Sequence, residues 1–208
     1  MKKQSPAIKQ TKVYYNKNFT LWSDRKTDSF HHEKSFQKIV TLWPKNAAII
    51  DIGCAHAIHV PLFLGIGRNL SYTGIDISNG FIKIASRRYP QLKFIEGNIV
   101  DPSIFTKKKF QGFWAAAVLM HIPFREWDDM FTNIERICKP GSYGYISLPI
   151  AHPSKTPDAS DTRHFTILTE LEQRSYLKTR GWKIKYAGII DGFTSKDVWR
   201  WYIVQLPE

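Results

Sequence analysis

The stretch IIDIGCAHAIHV, residues 49–60, sets an aspartate and a glycine after a run of branched apolar residues. Such a run reads as a buried strand, and the glycine as a tight turn where backbone can approach a ligand. A second carboxylate, Asp76, ends the next run of this kind, SYTGIDI at 71–77. Its distance from the first turn is near the roughly 20 residues at which an acidic side chain holds ribose hydroxyls. The pair therefore suits an adenosine-containing ligand. Ile58 stands where a dinucleotide fingerprint wants its third glycine, and Ala55 and Ala57 put methyl groups where a pyrophosphate needs bare backbone. A ligand without phosphates is easier to seat.

Other side chains offer less specific chemistry. His121, in the run MHIP at 120–123, carries an imidazole that titrates near neutrality and is the candidate base. The alternative is a histidine that fixes its loop by hydrogen bonds. His56 and His59 follow the glycine turn and read as structural, while His31 and His32 read as solvated. Arg163 and Phe165, with Trp199, Arg200 and Trp201, could present positive charge and aromatic faces to an anionic or planar substrate; the tryptophans equally suit a core. Cys54 and Cys138 suit reduced, buried thiols. No Cys or His cluster has metal-ligand spacing and no nucleophile elbow occurs, which argues against metal catalysis and acyl transfer.

The elements that must position these groups follow from periodicity. Residues 47–52, 71–77, 92–96, 112–119 and 143–148 are short apolar runs separated by helix-length segments. That alternation predicts a parallel sheet covered on both faces. Ser78 is placed to cap a helix that Pro90 ends, and Pro123 to open another that KPGS, residues 139–142, stops. Thr169 and Glu172 have capping-box spacing, the helix they open runs through Leu171 and Leu177, and Gly181 stands where a left-handed cap belongs. WKIKYAGII and VWRWYIVQL, joined by residues 191–197, predict a final antiparallel pair. The expected fold is thus α/β: a doubly wound, mostly parallel, seven-stranded sheet with a C-terminal antiparallel strand pair.

Taken in order, IIDIGCAHA, IDIS, FIEGNIVD, FQGFWAAAVLMHIP and ICKPGSYGYIS resemble the successive motifs of the class I S-adenosylmethionine-dependent methyltransferases, in particular the small bacterial methyltransferase-domain proteins. The segment RHFTILTELEQRSYLKTRGWKIK is similar to the family's later Arg-aromatic and helix region, so the resemblance runs from about residue 13 to residue 206. It implies S-adenosyl-L-methionine as cofactor. Asp51, Gly53 and Ala55 would lie against its methionine part, Asp76 would accept from both ribose hydroxyls, and Ile77 would touch the adenine. Asn98, where the family commonly has Asp, would face the adenine amino group, with Ile99 against the ring. Ala115 and Ala116 would line the methionine end, with His121 at the rim near the substrate. Ala55 and Asn98 depart from the family's pattern and bear on affinity more than on fold.

Length and charge set the frame. The 208 residues suit a single domain, with residues 1–40 as an N-terminal extension. Tyr14, Tyr15, Phe19 and Trp22 fall close together in it. They suit a lid that brings Tyr15 and Trp22 to the cofactor, or a segment packed on the outside of the sheet. No apolar stretch follows the first lysines and no run approaches a membrane span, so the cytoplasm is the expected location. The net charge of +12 leaves open an RNA or protein acceptor beside the small-molecule acceptor expected first, or a cofactor-binding protein without activity.

Overall fold

The structure is a computed structural model, and it describes residues 4–23, 32–104, 109–150, 161–191 and 198–208. The apolar runs pair into one seven-stranded sheet of order β3-β2-β1-β4-β5-β7-β6. Its strands are β1 (Ala48–Ile52), β2 (Ser71–Asp76), β3 (Lys93–Glu96), β4 (Phe110–Ala116), β5 (Cys138–Pro149), β6 (Lys183–Asp191) and β7 (Val198–Gln205). The first five are parallel, and β7 lies antiparallel between β5 and β6. Branched residues alternate across this sheet and build two cores. Ile50, Ile52, Phe113 and Ile146 face α5 (Trp127–Ile137) and α6 (Glu170–Thr179), while Ile49, Trp114, Tyr145 and Ile203 face α2 (Glu33–Leu42), α3 (Val60–Gly65) and α4 (Asn79–Arg88).

Local signals fix the helix ends. The Ser78 hydroxyl accepts from the Phe81 N–H at 3.3 Å and opens α4. Thr169 and Glu172 close a reciprocal capping box on α6, and Gly181 follows at φ +75°. Leu177 is buried, but Leu171 is exposed, because the box places it on the outer side of the first turn. Two expectations change. After Ile137 the chain enters β5 at once, so KPGS belongs to the strand, with Gly141 at φ +69° donating to the Pro207 carbonyl. His32 is buried rather than solvated: it donates to or accepts from the Tyr145 hydroxyl at 2.8 Å and packs edge-on to His59 and Trp114. His31 and the connection at 192–197 lie outside the described residues.

The N-terminal segment forms α1 (Pro6–Ser23), capped by Ser5 with proline at its first position. Ile8, Thr11, Lys12, Tyr15, Asn16, Phe19 and Trp22 recur at three- and four-residue steps, so they share one face. That face lies on the carboxyl ends of the strands. Lys12 pairs with Glu96 at 2.8 Å, Asn16 accepts from the Ser78 hydroxyl at 2.8 Å, Thr11 accepts from the His164 N–H at 3.0 Å, and the Phe19 ring lies over Gly80. Val13 and Leu21 point outward.

The close packing of β4 against β5 gives a test. A β-carbon on Gly144 would stand 1.8 Å from Cε1 of the fully buried Phe113. Gly144→Ala should lower stability by about 3 kcal/mol, read as a drop in the urea midpoint, since overpacking a filled core forces backbone shifts. An unchanged midpoint would show that Phe113 moves without strain.

Candidate active site

The strand order reverses at β1, whose neighbours are β2 and β4, and the carboxyl ends of these strands frame the crevice where ligands bind in such sheets. Directly after β1 the chain turns sharply. The Gly53 and Cys54 N–H groups both donate to the Ile75 carbonyl, at 2.8 and 3.1 Å, drawing the turn onto the tip of β2. Gly53 has φ +74°, and a β-carbon there would meet Val118 at 2.4 Å. Ala55 at +46°, Ala57 at +67° and, after β4, Ala117 at +53° hold left-handed conformations that cost non-glycine residues free energy. Backbone strain is therefore gathered around this crevice.

Two buried carboxylates anchor it. Asp76 takes the Ala55 N–H on one oxygen at 2.9 Å and the Ser78 N–H on the other at 2.8 Å. Burial still raises its carboxyl to about 6, against the lowering by these bonds. Asp51 stands inside β1 and accepts the Tyr72 hydroxyl on Oδ2 at 2.7 Å, while its Oδ1 is buried with no hydrogen-bond partner. Burial pushes it up to about 7. Asn98, at the tip of β3, accepts the Val100 N–H at 3.1 Å and lines a cavity of about 260 Å³ with Gln4, Ser5 and Arg125. Ile77 is half-buried and Ile99 buried beside it. Ala116 is at the crevice, whereas Ala115 is fully enclosed in the core and has no surface for a ligand.

Across the crevice from Asp76, the turn after β4 delivers His121. Its Nδ1 lies 2.8 Å from the His164 carbonyl, which only accepts, so Nδ1 carries the proton and Nε2 accepts from the Tyr15 hydroxyl at 2.8 Å. Burial pushes the imidazole down to about 4, so the ring is neutral at physiological pH. Arg163 donates to the Tyr15 hydroxyl at 2.9 Å and is gripped by both oxygens of Asp161. Its guanidinium is also ringed by Tyr14, Trp22 and Phe165, at 5.1, 5.0 and 4.9 Å from their centroids. Tyr15, Trp22, His121, Arg163 and Phe165, scattered over the sequence, thus form one cluster. Trp199, Arg200 and Trp201 do not join it. They lie on β7, where Arg200 pairs with Glu170 and Trp201 covers Gly188. Asp161 carried no sequence signal beyond its place two residues before Arg163. His164 and Thr11 contribute through backbone and hydroxyl contacts that leave none.

This geometry defines a class. Residues 49–141 match the sequence family described as a methyltransferase domain, and the seven-stranded order with its antiparallel end is the class I arrangement. That match covers somewhat less than half of the chain, and the fold of the whole is of the class I methyltransferase type. Solved structures agree in fold at low identity. The 1,6-didemethyltoxoflavin-N1-methyltransferase of Burkholderia thailandensis superimposes with a TM-score of 0.78 at 13% identity, over 100% of this chain and 93% of that one. The [4+2]-cyclase SpnF gives 0.77 at 13% identity over 98% of both chains. The magnesium protoporphyrin IX methyltransferase of Synechocystis PCC 6803 gives 0.70 at 15% identity, over 99% and 100%. No curated protein matches the sequence.

The buried Asp51 yields a test with a defined sign. Its carboxyl is raised in the folded chain from near 3.8 to about 7, so folding is unpenalised below the lower value and loses stability as pH rises through the higher. Asp51→Asn should therefore stabilise the ligand-free protein at pH 8 by roughly 2 to 4 kcal/mol. The gain should shrink to nothing by about pH 3, below the unfolded value, where Asp51 is protonated in both states. Melting temperatures at both pH values check this, and an equal gain at both would exclude a charge origin.

Proposed function

We propose that the protein transfers a methyl group from S-adenosyl-L-methionine to a small-molecule acceptor. The observation that carries this is the buried Asp76 at the tip of β2, beside a glycine-poor turn in which Ala55 and Ala57 hold left-handed backbone. The donor set fits the cofactor. A carboxylate offers about four acceptor sites, and the Ala55, Ser78 and Ile77 N–H groups do not fill those of Asp76, which leaves capacity for a ribose hydroxyl. The unpartnered Oδ1 of Asp51 suits an ammonium group, and Asn98 supplies polar atoms at the adenine end. Bound there, the cofactor supplies a methyl already activated on sulfur, so the protein's task is to orient the acceptor and exclude water.

Several residues meet that task. The Gly53 turn and Ala116 support the methionine part, Ile77 and Ile99 flank the adenine, and α1 closes the crevice as a lid through Tyr15 and Trp22. The small-molecule reading is supported by the covering of the crevice by α1 and by the two small-molecule methyltransferases that share the fold. Among the described residues no helix is long and apolar enough to cross a membrane. The buried free thiols Cys54 and Cys138 support a cytoplasmic setting. The cyclase that shares the fold keeps a second reading in view, a cofactor-binding scaffold without methyl transfer.

Calorimetry separates these from a dinucleotide enzyme: S-adenosylmethionine and S-adenosylhomocysteine should bind, and NAD should not. Asp76→Ala should weaken S-adenosylhomocysteine at least about tenfold with the fold intact, because charge-assisted bonds to the ribose are lost. Tighter binding of NAD would overturn the assignment. If α1 is a lid, S-adenosylhomocysteine should also slow hydrogen exchange along Pro6–Ser23; unchanged exchange there would make α1 a packing element only.

A further inference from the structure

We infer that α1 supplies a catalytic residue, Tyr15, which takes the proton from a hydroxyl acceptor and hands its own proton to His121, so that the protein is an O-methyltransferase. This rests on the reading above. It starts from a fact of bonding: both nitrogens of His121 are occupied, Nδ1 by the His164 carbonyl and Nε2 by the Tyr15 hydroxyl. With α1 in place, His121 cannot itself meet an acceptor. The polar group in front of it is Tyr15.

The position of Tyr15 suits that role. Its ring lies 5.7 Å from Phe81 in the first turn of α4 and 5.5 Å from His121 after β4, centroid to centroid. Tyr15 thus stands between the first turn of α4 and the turn after β4, close enough to Asp76 to feel its charge. The phenolic oxygen donates to Nε2 and accepts one N–H from Arg163, which leaves it acceptor capacity for an incoming O–H. Burial pushes the phenol up to about 12 against the pull of Arg163, so the hydroxyl stays protonated and gives up its proton only as it receives another. The charge of Arg163 is cancelled by Asp161, so the site selects no anion, and the rings of Tyr14, Trp22 and Phe165 suit a neutral, apolar or planar alcohol.

The proton step balances. As the acceptor oxygen takes the methyl group, the methyl–sulfur bond would break with its electron pair left on sulfur as a neutral thioether, so the positive charge passes to the acceptor oxygen, whose O–H bond then breaks with the pair left on that oxygen. The proton forms a new O–H bond on Tyr15 while the original Tyr15 proton forms an N–H bond at His121 Nε2. The acceptor ends as a neutral ether and His121 as an imidazolium still bound to the His164 carbonyl. Burial holds His121 near 4, too weak a base to deprotonate a free alcohol and strong enough to take a proton from an alkylated one. An amine acceptor retains a stable positive charge after methylation and has no need of such a relay, which is why the site points to oxygen.

Tyr15→Phe in the full chain keeps the ring and removes the hydroxyl. Calorimetry with S-adenosylhomocysteine should give an affinity within threefold of wild type. Nitrogen spectra of the labelled histidines in that complex should show His121 protonated on Nδ1, with its Nε2 signal displaced in Tyr15→Phe. With S-adenosylmethionine and a panel of phenols, aliphatic alcohols and amines, wild type should methylate hydroxyl groups, and Tyr15→Phe should lower kcat at least 100-fold with KM little changed. Unaltered His121 signals, an undiminished kcat, or methylation of amines alone would overturn the inference. Failure of wild type to bind S-adenosylhomocysteine would instead bring down the proposed function on which it stands.

Discussion

The cost of burying two carboxylates organises the carboxyl end of this sheet. Asp51 and Asp76 lie on neighbouring strands out of water, and an isolated charge in such a place is expensive. The Ala55 and Ser78 N–H groups point at Asp76, and the Tyr72 hydroxyl at Asp51. To bring the Ala55 N–H inward, the turn after β1 accepts left-handed backbone at two alanines. Even so the carboxyls remain well above their ordinary range and one oxygen is unserved. Such incomplete satisfaction costs stability, and it marks the two carboxylates as polar groups with bonding capacity to spare.

What could be read from the sequence was whatever depends on neighbours along the chain. Strand runs, the Ser78 cap, the Thr169 box and the acidic tip of β2 all follow from local spacing and stand in the structure. Contacts between distant segments were not legible. The burial of His32 depends on Tyr145, 113 positions away, and the Tyr15–His121 bond spans 106. KPGS shows the limit of local rules: proline and glycine stop α5, but pairing with β4 and with the Pro207 carbonyl draws them into a strand. Aromatics at 14, 15, 19 and 22 announced that the N-terminal segment packs; the polar Thr11, Lys12 and Asn16 on the same face hid where.

The fold alone leaves the reaction open, since a cyclase and two methyltransferases share it at similar scores. The distinction lies in the side chains that face the crevice. In this protein those are contributed by α1, the turn after β4 and the segment at 161–166, three pieces outside the βαβ units that hold the carboxylates. The buried carboxylates and the Tyr15–His121–Arg163 cluster thus come from separable parts of the chain.

The sheet order also has a kinetic meaning. β7 lies between β5 and β6, so β6 has no place to attach until the strand that follows it in the chain has formed. The pair must dock on β5 together, or β7 must go first and β6 close behind it. Either route leaves the long β5, with its row of buried Tyr145, Ile146 and Leu148, as an open edge late in folding. Non-local strand pairing of this kind is slow, and an apolar open edge readily recruits another chain. During folding, aggregation of this protein therefore competes at the β5 edge that β7 is made to cover.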